Sequence, residues 1–486
     1  MRHAVDETGM RQGSLWPSPW LTGMSTLRQE LSFFDLVNVV VGAVVGADIY
    51  VATAITAGLL GPASVVAWVL AGAAALCLAL VFARCGLYVP KVGGPFAYVG
   101  AAFGNYWALM AGWSLWIAEI MALPVFALAF VNYLRFFASL SPWEEVGVKA
   151  AFLLGITAVN VRGVRLAGRV NDVLTIAKLV PLPVLVLFGL GYLGLHPATL
   201  RANYVPFTPM GVGALPSAVL LVFWAYVGFE LGTMPASEVK DPRRTIPRAV
   251  LAGMIIVTVF YLATNFVVYG LVAWRTLALS ATPLVAAGSV VLGSFGAKLM
   301  GVGALVSVSG SDESGTLGTA RLSYAMALEG LFPKPFSWVH PRFKTPYVAL
   351  LAQGGLAFLL SLFSGITALI AFSVVNMAFA FLLTCLSLRV LQRGQAHVSR
   401  LERILPWTGT IICLYLIWST PWPVKVSGLL VMLAGVPLYV WLSPKTRMEL
   451  LWQEFLTDER LLRRALRQRR RFLANLLHMV RRLISP

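Results

Sequence analysis

Six ionisable side chains stand inside apolar stretches of this chain: Asp48, Glu119, Lys178, Glu230, Asp312 and Glu313. An unpaired charge in hydrocarbon costs several kcal/mol, so such groups persist where they face protein or a water-filled cavity. There they bind small charged molecules or pass protons. Two of the acids also sit on glycine-rich interruptions. One is Val41-Gly42-Ala43-Val44-Val45-Gly46-Ala47-Asp48-Ile49-Tyr50, and the other is Trp224-Ala225-Tyr226-Val227-Gly228-Phe229-Glu230-Leu231-Gly232. An opened helix frees amide N–H donors suited to a carboxylate and carbonyls suited to an ammonium group. Gly46 and Ala47 let a ligand approach the backbone. The plain structural alternative for Gly42 to Gly46 is a small-residue packing face, but packing alone leaves Asp48 unexplained.

The elements that must hold these residues are membrane helices. The chain has 486 residues, 58% hydrophobic and 12% charged, with mean hydropathy +0.80. A soluble domain carries about 25% charged residues, so this composition excludes one. Apolar runs of spanning length number about twelve: 34–58, 63–83, 104–133, 147–161, 171–192, 215–237, 248–273, 292–326, 346–364, 366–389, 405–420 and 424–443. The interruptions fall in the first and sixth, as two five-span repeats would place them. No short apolar region with a small-residue cleavage site precedes Leu31, so the first span is expected to insert the chain.

Positive charge orients the spans. Arg84, Lys91, Arg162, Arg165, Arg169, Lys240, Arg243 and Arg244 fall in alternate connections, and the other connections are poorer in Lys and Arg. The rich side is expected to be cytoplasmic, with both termini inside and the chain multi-pass in the cell membrane. Three regions follow: an N-terminal tail, 1–30; a transmembrane domain, 31–443; and a basic tail, 444–486. Net charge is +18, and Lys445–Pro486 holds eleven Lys/Arg against four Asp/Glu. Leu462, Leu466, Leu473, Leu477, Val480 and Ile484 recur there at helical spacing. That pattern fits a helix lying on an anionic leaflet rather than a nucleic-acid surface; a solvated or partner-bound helix is the alternative.

Cys77, Cys85, Cys385 and Cys413 lack metal-ligand spacing and read as free thiols. The five histidines lie outside the apolar runs. No metal centre, cofactor or enzyme constellation is expected, and without a Gly-Lys-Ser/Thr phosphate loop direct ATP use has no support.

Several motifs together resemble the amino acid–polyamine–organocation (APC) transporters. They are the first-span Gly-x-x-x-Gly-Ala-Asp-Ile; Pro90-Lys91-Val92-Gly93-Gly94-Pro95-Phe96-Ala97-Tyr98; Gly228-Phe229-Glu230 with Glu238-Val239-Lys240-Asp241-Pro242-Arg243-Arg244; and Ala327-Leu328-Glu329-Gly330-Leu331-Phe332-Pro333 with Thr345-Pro346-Tyr347. The resemblance covers about Leu31 to Pro444. It implies an all-α LeuT-type fold, a 5+5 inverted repeat with helices 1 and 6 broken and two further helices. The chain departs from the family at Ala83-Arg84-Cys85-Gly86, where Ala-Glu-Leu-Gly is usual, and at Gly46-Ala47-Asp48-Ile49, where many members have Gly-Ser-Gly-Ile.

The resemblance also implies roles. Backbone at Val44, Gly46, Ala47, Asp48 and Ile49 is expected to bind the substrate, its carboxylate on the amides. Trp224, Val227 and Gly228 form the other half of the pocket, with Trp224 as a gating aromatic or, more simply, a packing ring. Glu119 matches a polar site-lining position, and Glu230 a carboxylate after the sixth-span glycine. Lys178 is expected to place its amine where sodium sits in sodium-coupled relatives; a snorkelling lysine is the alternative. Asp312 is its candidate partner, and Glu313, about 100° further round the helix, faces elsewhere. Lys178, Glu230, Asp312 and Glu313 are therefore the proton-coupling candidates. The expected activity is proton-coupled amino acid transport by alternating access. A polyamine, cationic amino acid or other organocation carrier or exchanger, a channel, and a non-transporting nutrient sensor remain as alternatives. Expected partners are the substrate, protons and membrane lipids.

Overall fold

The computed structural model describes residues 32–46, 48–89, 93–230, 239, 241–394 and 398–442. Ala47, residues 90–92 and 231–238, and both expected tails with the amphipathic pattern of the second lie outside the described residues. Among the described residues the architecture is all-helical.

The first expected span is two helices, α1 (Phe33–Val44) and α2 (Asp48–Leu60), parted at Val45–Gly46. A 3-10 turn, Gly61–Ala63, leads into α3 (Ser64–Tyr88), α4 (Pro95–Phe103) and α5 (Asn105–Leu134). From Asp48 to Tyr88 the chain is a largely apolar helical stretch of 41 residues. A straight helix of that length would run about 60 Å, twice the hydrocarbon core. The turn divides it, and Gly61, at φ +63°, takes a conformation glycine adopts freely.

Next come α6 (Pro142–Val161), α7 (Val164–Leu179), α8 (Pro181–Leu195), α9 (Pro197–Tyr204) and α10 (Leu215–Trp224). Ser141 caps α6 in a reciprocal box with Glu144. The hydrogen-bond ladder of the expected span 171–192 is interrupted at Val180, between α7 and α8, because Pro181 and Pro183 have no N–H to donate. Then follow α11 (Pro242–Leu271), α12 (Trp274–Leu279), α13 (Pro283–Leu328), α14 (Tyr347–Phe363), α15 (Ile366–Leu391), α16 (Arg400–Ser419) and α17 (Trp422–Leu442). Within α13, Leu292 and Gly293 leave helical geometry. The expected eighth span begins at this kink, and the piece before it is a short helix the apolar pattern did not separate.

Among the described residues six helical stretches are long and apolar enough to cross a membrane, or seven if the α16–α17 pair, bent by 117°, is one span. The chain is thus a multi-pass membrane protein.

Polar side chains tie the first broken helix to α11. The Tyr261 hydroxyl donates to the Val44 carbonyl at 2.8 Å, Thr53 donates to Asn265 Oδ1 at 2.9 Å, and the Thr56 and Tyr269 hydroxyls meet at 2.9 Å. Away from this seam, Arg84 at the end of α3 pairs with Glu402 at the start of α16, 2.7 Å apart. The arginine that departs from the family pattern thus has a carboxylate partner on another helix.

Candidate functional site

Where α1 stops, its last carbonyls lose their intrahelical partners. The Val45 N–H, 2.8 Å away, still reaches Val41 O. Gly42 O accepts from the Lys178 ammonium at 2.6 Å. Val44 O accepts from Tyr261. Ala43 O lies against the second interruption: a Cβ built on Gly228 would be 2.8 Å from it. Gly228 has φ +114°, so glycine alone satisfies both the backbone angle and the approach. The two breaks therefore meet, and a cation sits at the negative end of the α1 dipole.

The second break begins after Trp224. Residues 225–228 are turns, and Phe229 and Glu230 a tight helical turn. The Trp224 carbonyl accepts from Val227 N–H at 3.2 Å, so it already has one partner in the turn. Glu230 turns back to accept from Gly228 N–H at 3.1 Å.

Between the breaks lies a cavity of about 80 Å³, several times what one water occupies. Ala43, Asp48, Trp224, Val227, Gly228 and Glu230 line it from the broken helices; Leu115, Glu119, Ala122 and Phe126 from α5; Ser311, Ser314, Gly315, Gly318, Thr319 and Leu322 from α13; and Met377 from α15. Three carboxylates face this space, and no Lys, Arg or His is among its lining residues. Trp224 stacks on Phe126, ring centres 5.7 Å apart and planes 27° apart.

Asp48 is buried at the first turn of α2, where its charge complements the helix dipole. Gly46 lies beside it, and a Cβ there would run into Ser311 Oγ and come within 2.8 Å of Asp48 Oδ2. The amide end of α2, expected to receive a substrate carboxylate, thus carries a carboxylate of its own.

The structure brings together Asp48, Glu119, Trp224, Val227, Gly228 and Glu230 of the expected site. Val44, Gly46 and Ile49 are buried beside the cavity rather than among its lining residues, and Ala47 lies outside the described residues. Lys178 is fully buried behind α1, and the acids whose charges act on it are Asp48 and Glu313. Asp312 is buried too, and neither of its carboxylate oxygens has a hydrogen-bond partner. Adjacent positions on α13 point about 100° apart. Asp241 and Arg244 of the Glu238–Arg244 motif form an exposed local pair at 3.9 Å.

Sequence reasoning missed Phe126, Ser311, Ser314, Thr319 and Met377. Phe126 follows Glu119 and Ala122 at helical spacing, so the stripe 119, 122, 126 carried the signal. Ser311, Gly315, Gly318, Thr319 and Leu322 form a similar stripe on α13.

The amino acid permease family model matches residues 31–443. The branched-chain amino acid permease BcaP of Bacillus subtilis is 27% identical, covering 87% of this chain and 95% of that protein. The serine/threonine exchanger SteT of Bacillus subtilis is 28% identical, covering 85% and 96%. The human large neutral amino acids transporter small subunit 2 is 31% identical, covering 86% and 81%. With its interrupted helices, its acidic cavity and a family match spanning most of its length, the chain belongs to the amino acid permeases of the APC superfamily.

Proposed function

We propose that this permease is a secondary active transporter that carries an amino acid across the cell membrane by alternating access, driven by protons. In this reading about twelve spans form a LeuT-type 5+5 inverted repeat with both termini cytoplasmic. Substrate lies where the first and sixth spans open, with Trp224 and Phe126 over it. The observation that carries the reading is the meeting of the two breaks at Ala43 and Gly228 beside the acidic cavity. Backbone polar groups opened at membrane depth are tolerated only against protein or water, and they suit a small charged solute.

Lys178 is the proposed coupling group. Its ammonium holds the Gly42 carbonyl at the end of α1, and Asp48 and Glu313 act on its charge. Loss of its proton removes a cation from the C-terminal end of α1 and frees that helix to shift. Glu230 and Asp312 are the remaining acids on the proposed proton route.

Uptake of radiolabelled amino acids into proteoliposomes, with and without an inside-alkaline pH gradient, tests the reading. Accumulation above equilibrium only with the gradient supports it. Equilibration unaffected by the gradient removes proton coupling and leaves facilitated transport or exchange. Ligand binding with no flux under any gradient removes transport itself.

A further inference from the structure

The polar groups that line the cavity differ from level to level. A Cβ at Gly112 would meet Met326 Sδ at 2.6 Å, and one at Gly315 would meet Leu123 Cδ2 at 3.3 Å. Helices α5 and α13 therefore run antiparallel in a register that sets Glu119 level with Thr319. Ser311, beside Gly46 and Asp48, is eight residues earlier on α13, about 12 Å along the axis.

At the far end two polar groups wait for a partner. The Thr319 side chain is 1% exposed and lines the cavity, yet its hydroxyl has no hydrogen-bond partner. Glu119 lines the cavity from the facing helix and feels the charges of Glu230 and Asp48, with no cation among the lining residues to balance them. An acid and an unpartnered hydroxyl at one level suit an ammonium group, which donates to both.

We propose that the cavity selects substrates with a second cationic centre, held between Glu119 and Thr319 apart from the end seated at the helix breaks. This rests on the transport reading above and names its substrate class: an amino acid with a terminal side-chain ammonium. Asp48 at the breaks favours the cationic part of the head group there. A diamine lacking the carboxylate presents the same spacing, and the test separates the two.

Proteoliposome uptake is measured for lysine, for norleucine, its analogue without the terminal ammonium, and for cadaverine, its analogue without the carboxylate. Lysine is expected to be taken up at least about tenfold more efficiently than norleucine. Glu119→Gln is expected to collapse that ratio and Thr319→Val to reduce it by several-fold, each assayed only after monodisperse elution and cooperative unfolding of the variant. Cadaverine equal to lysine assigns the site to diamines within the same class, and weaker cadaverine assigns it to amino acids. Norleucine matching or exceeding lysine in the wild type overturns the inference and leaves amino acid transport standing. An undiminished ratio in both variants overturns the assignment to Glu119 and Thr319. Absence of uptake for every amino acid tried overturns the transport reading and this one with it.

Discussion

Gly228 rests against the carbonyl of Ala43, so close that a methyl group on Gly228 would stand 2.8 Å from that oxygen and 3.0 Å from its carbon. The contact joins two interruptions 185 residues apart in the chain. It fixes the width of the cavity at one point and tolerates no side chain.

Gly228→Ala meets two penalties at once, a backbone angle of φ +114° that L residues avoid and a clash with Ala43. Non-glycine residues at such angles cost on the order of 1–3 kcal/mol. The substitution should lower the unfolding temperature of the detergent-solubilised protein and abolish uptake. A variant with wild-type melting and flux would show that this approach is not required.

Lys178→Ala leaves the Gly42 carbonyl without its ammonium donor. Accumulation driven by a pH gradient should disappear, while counterflow exchange of substrate at symmetric pH should persist at reduced rate. Accumulation equal to wild type would refute the coupling role.

Trp224→Ala removes the ring stacked on Phe126 over the cavity. An aromatic pair contributes about 0.5–1.5 kcal/mol beyond its buried area, so substrate affinity should fall by a few-fold to about tenfold. Binding isotherms on purified protein provide the check. Unchanged affinity would reduce Trp224 to a packing role.

Tyr261→Phe deletes the hydroxyl that donates to Val44 O and nothing else. A lost internal hydrogen bond costs about 1 kcal/mol, more if the carbonyl stays buried and unpaired. A small drop in melting temperature with slower uptake is expected, and identical curves would mean that water replaces the hydroxyl.

Outside the membrane, Glu144 is held below the usual carboxylate range by the Ser141 backbone and hydroxyl that donate to it. A depressed carboxylate contributes stability that is present above its unfolded value and lost as pH falls through its folded value. The wild-type melting temperature should therefore decline on acidification more than that of Glu144→Gln. Parallel declines would mean that the capping box has no part in acid stability.

Much of this was legible in the chain itself. Glycines beside Asp48 and Glu230 marked both interruptions, because membrane helices rarely combine small residues and acids without an opening to fill. The depth of Lys178 was legible too, since one lysine in an apolar run has few places to put its charge. Its partner was not. Whether Asp312 or Glu313 faces it depends on how α13 is rotated against α7, and an apolar pattern fixes that rotation only loosely. Phe126 and Thr319 escaped for the same reason: their roles come from the register between α5 and α13, a long-range relation. Arg84 stood out as a departure from the family, but only the fold supplies Glu402, more than 300 residues away.

The polar seam along α11 has a mechanical consequence. Thr53, Thr56 and the Val44 carbonyl are all fastened to that one helix, two of them through α2 and one through the end of α1. In hydrocarbon such fastenings have no water to replace them, so they hold while apolar contacts slide. Any tilt of α11 would drag both pieces of the first span together as a single lever. The cavity would then open by the lever swinging against α5 and α13, with its hinge beyond the seam rather than between the two pieces.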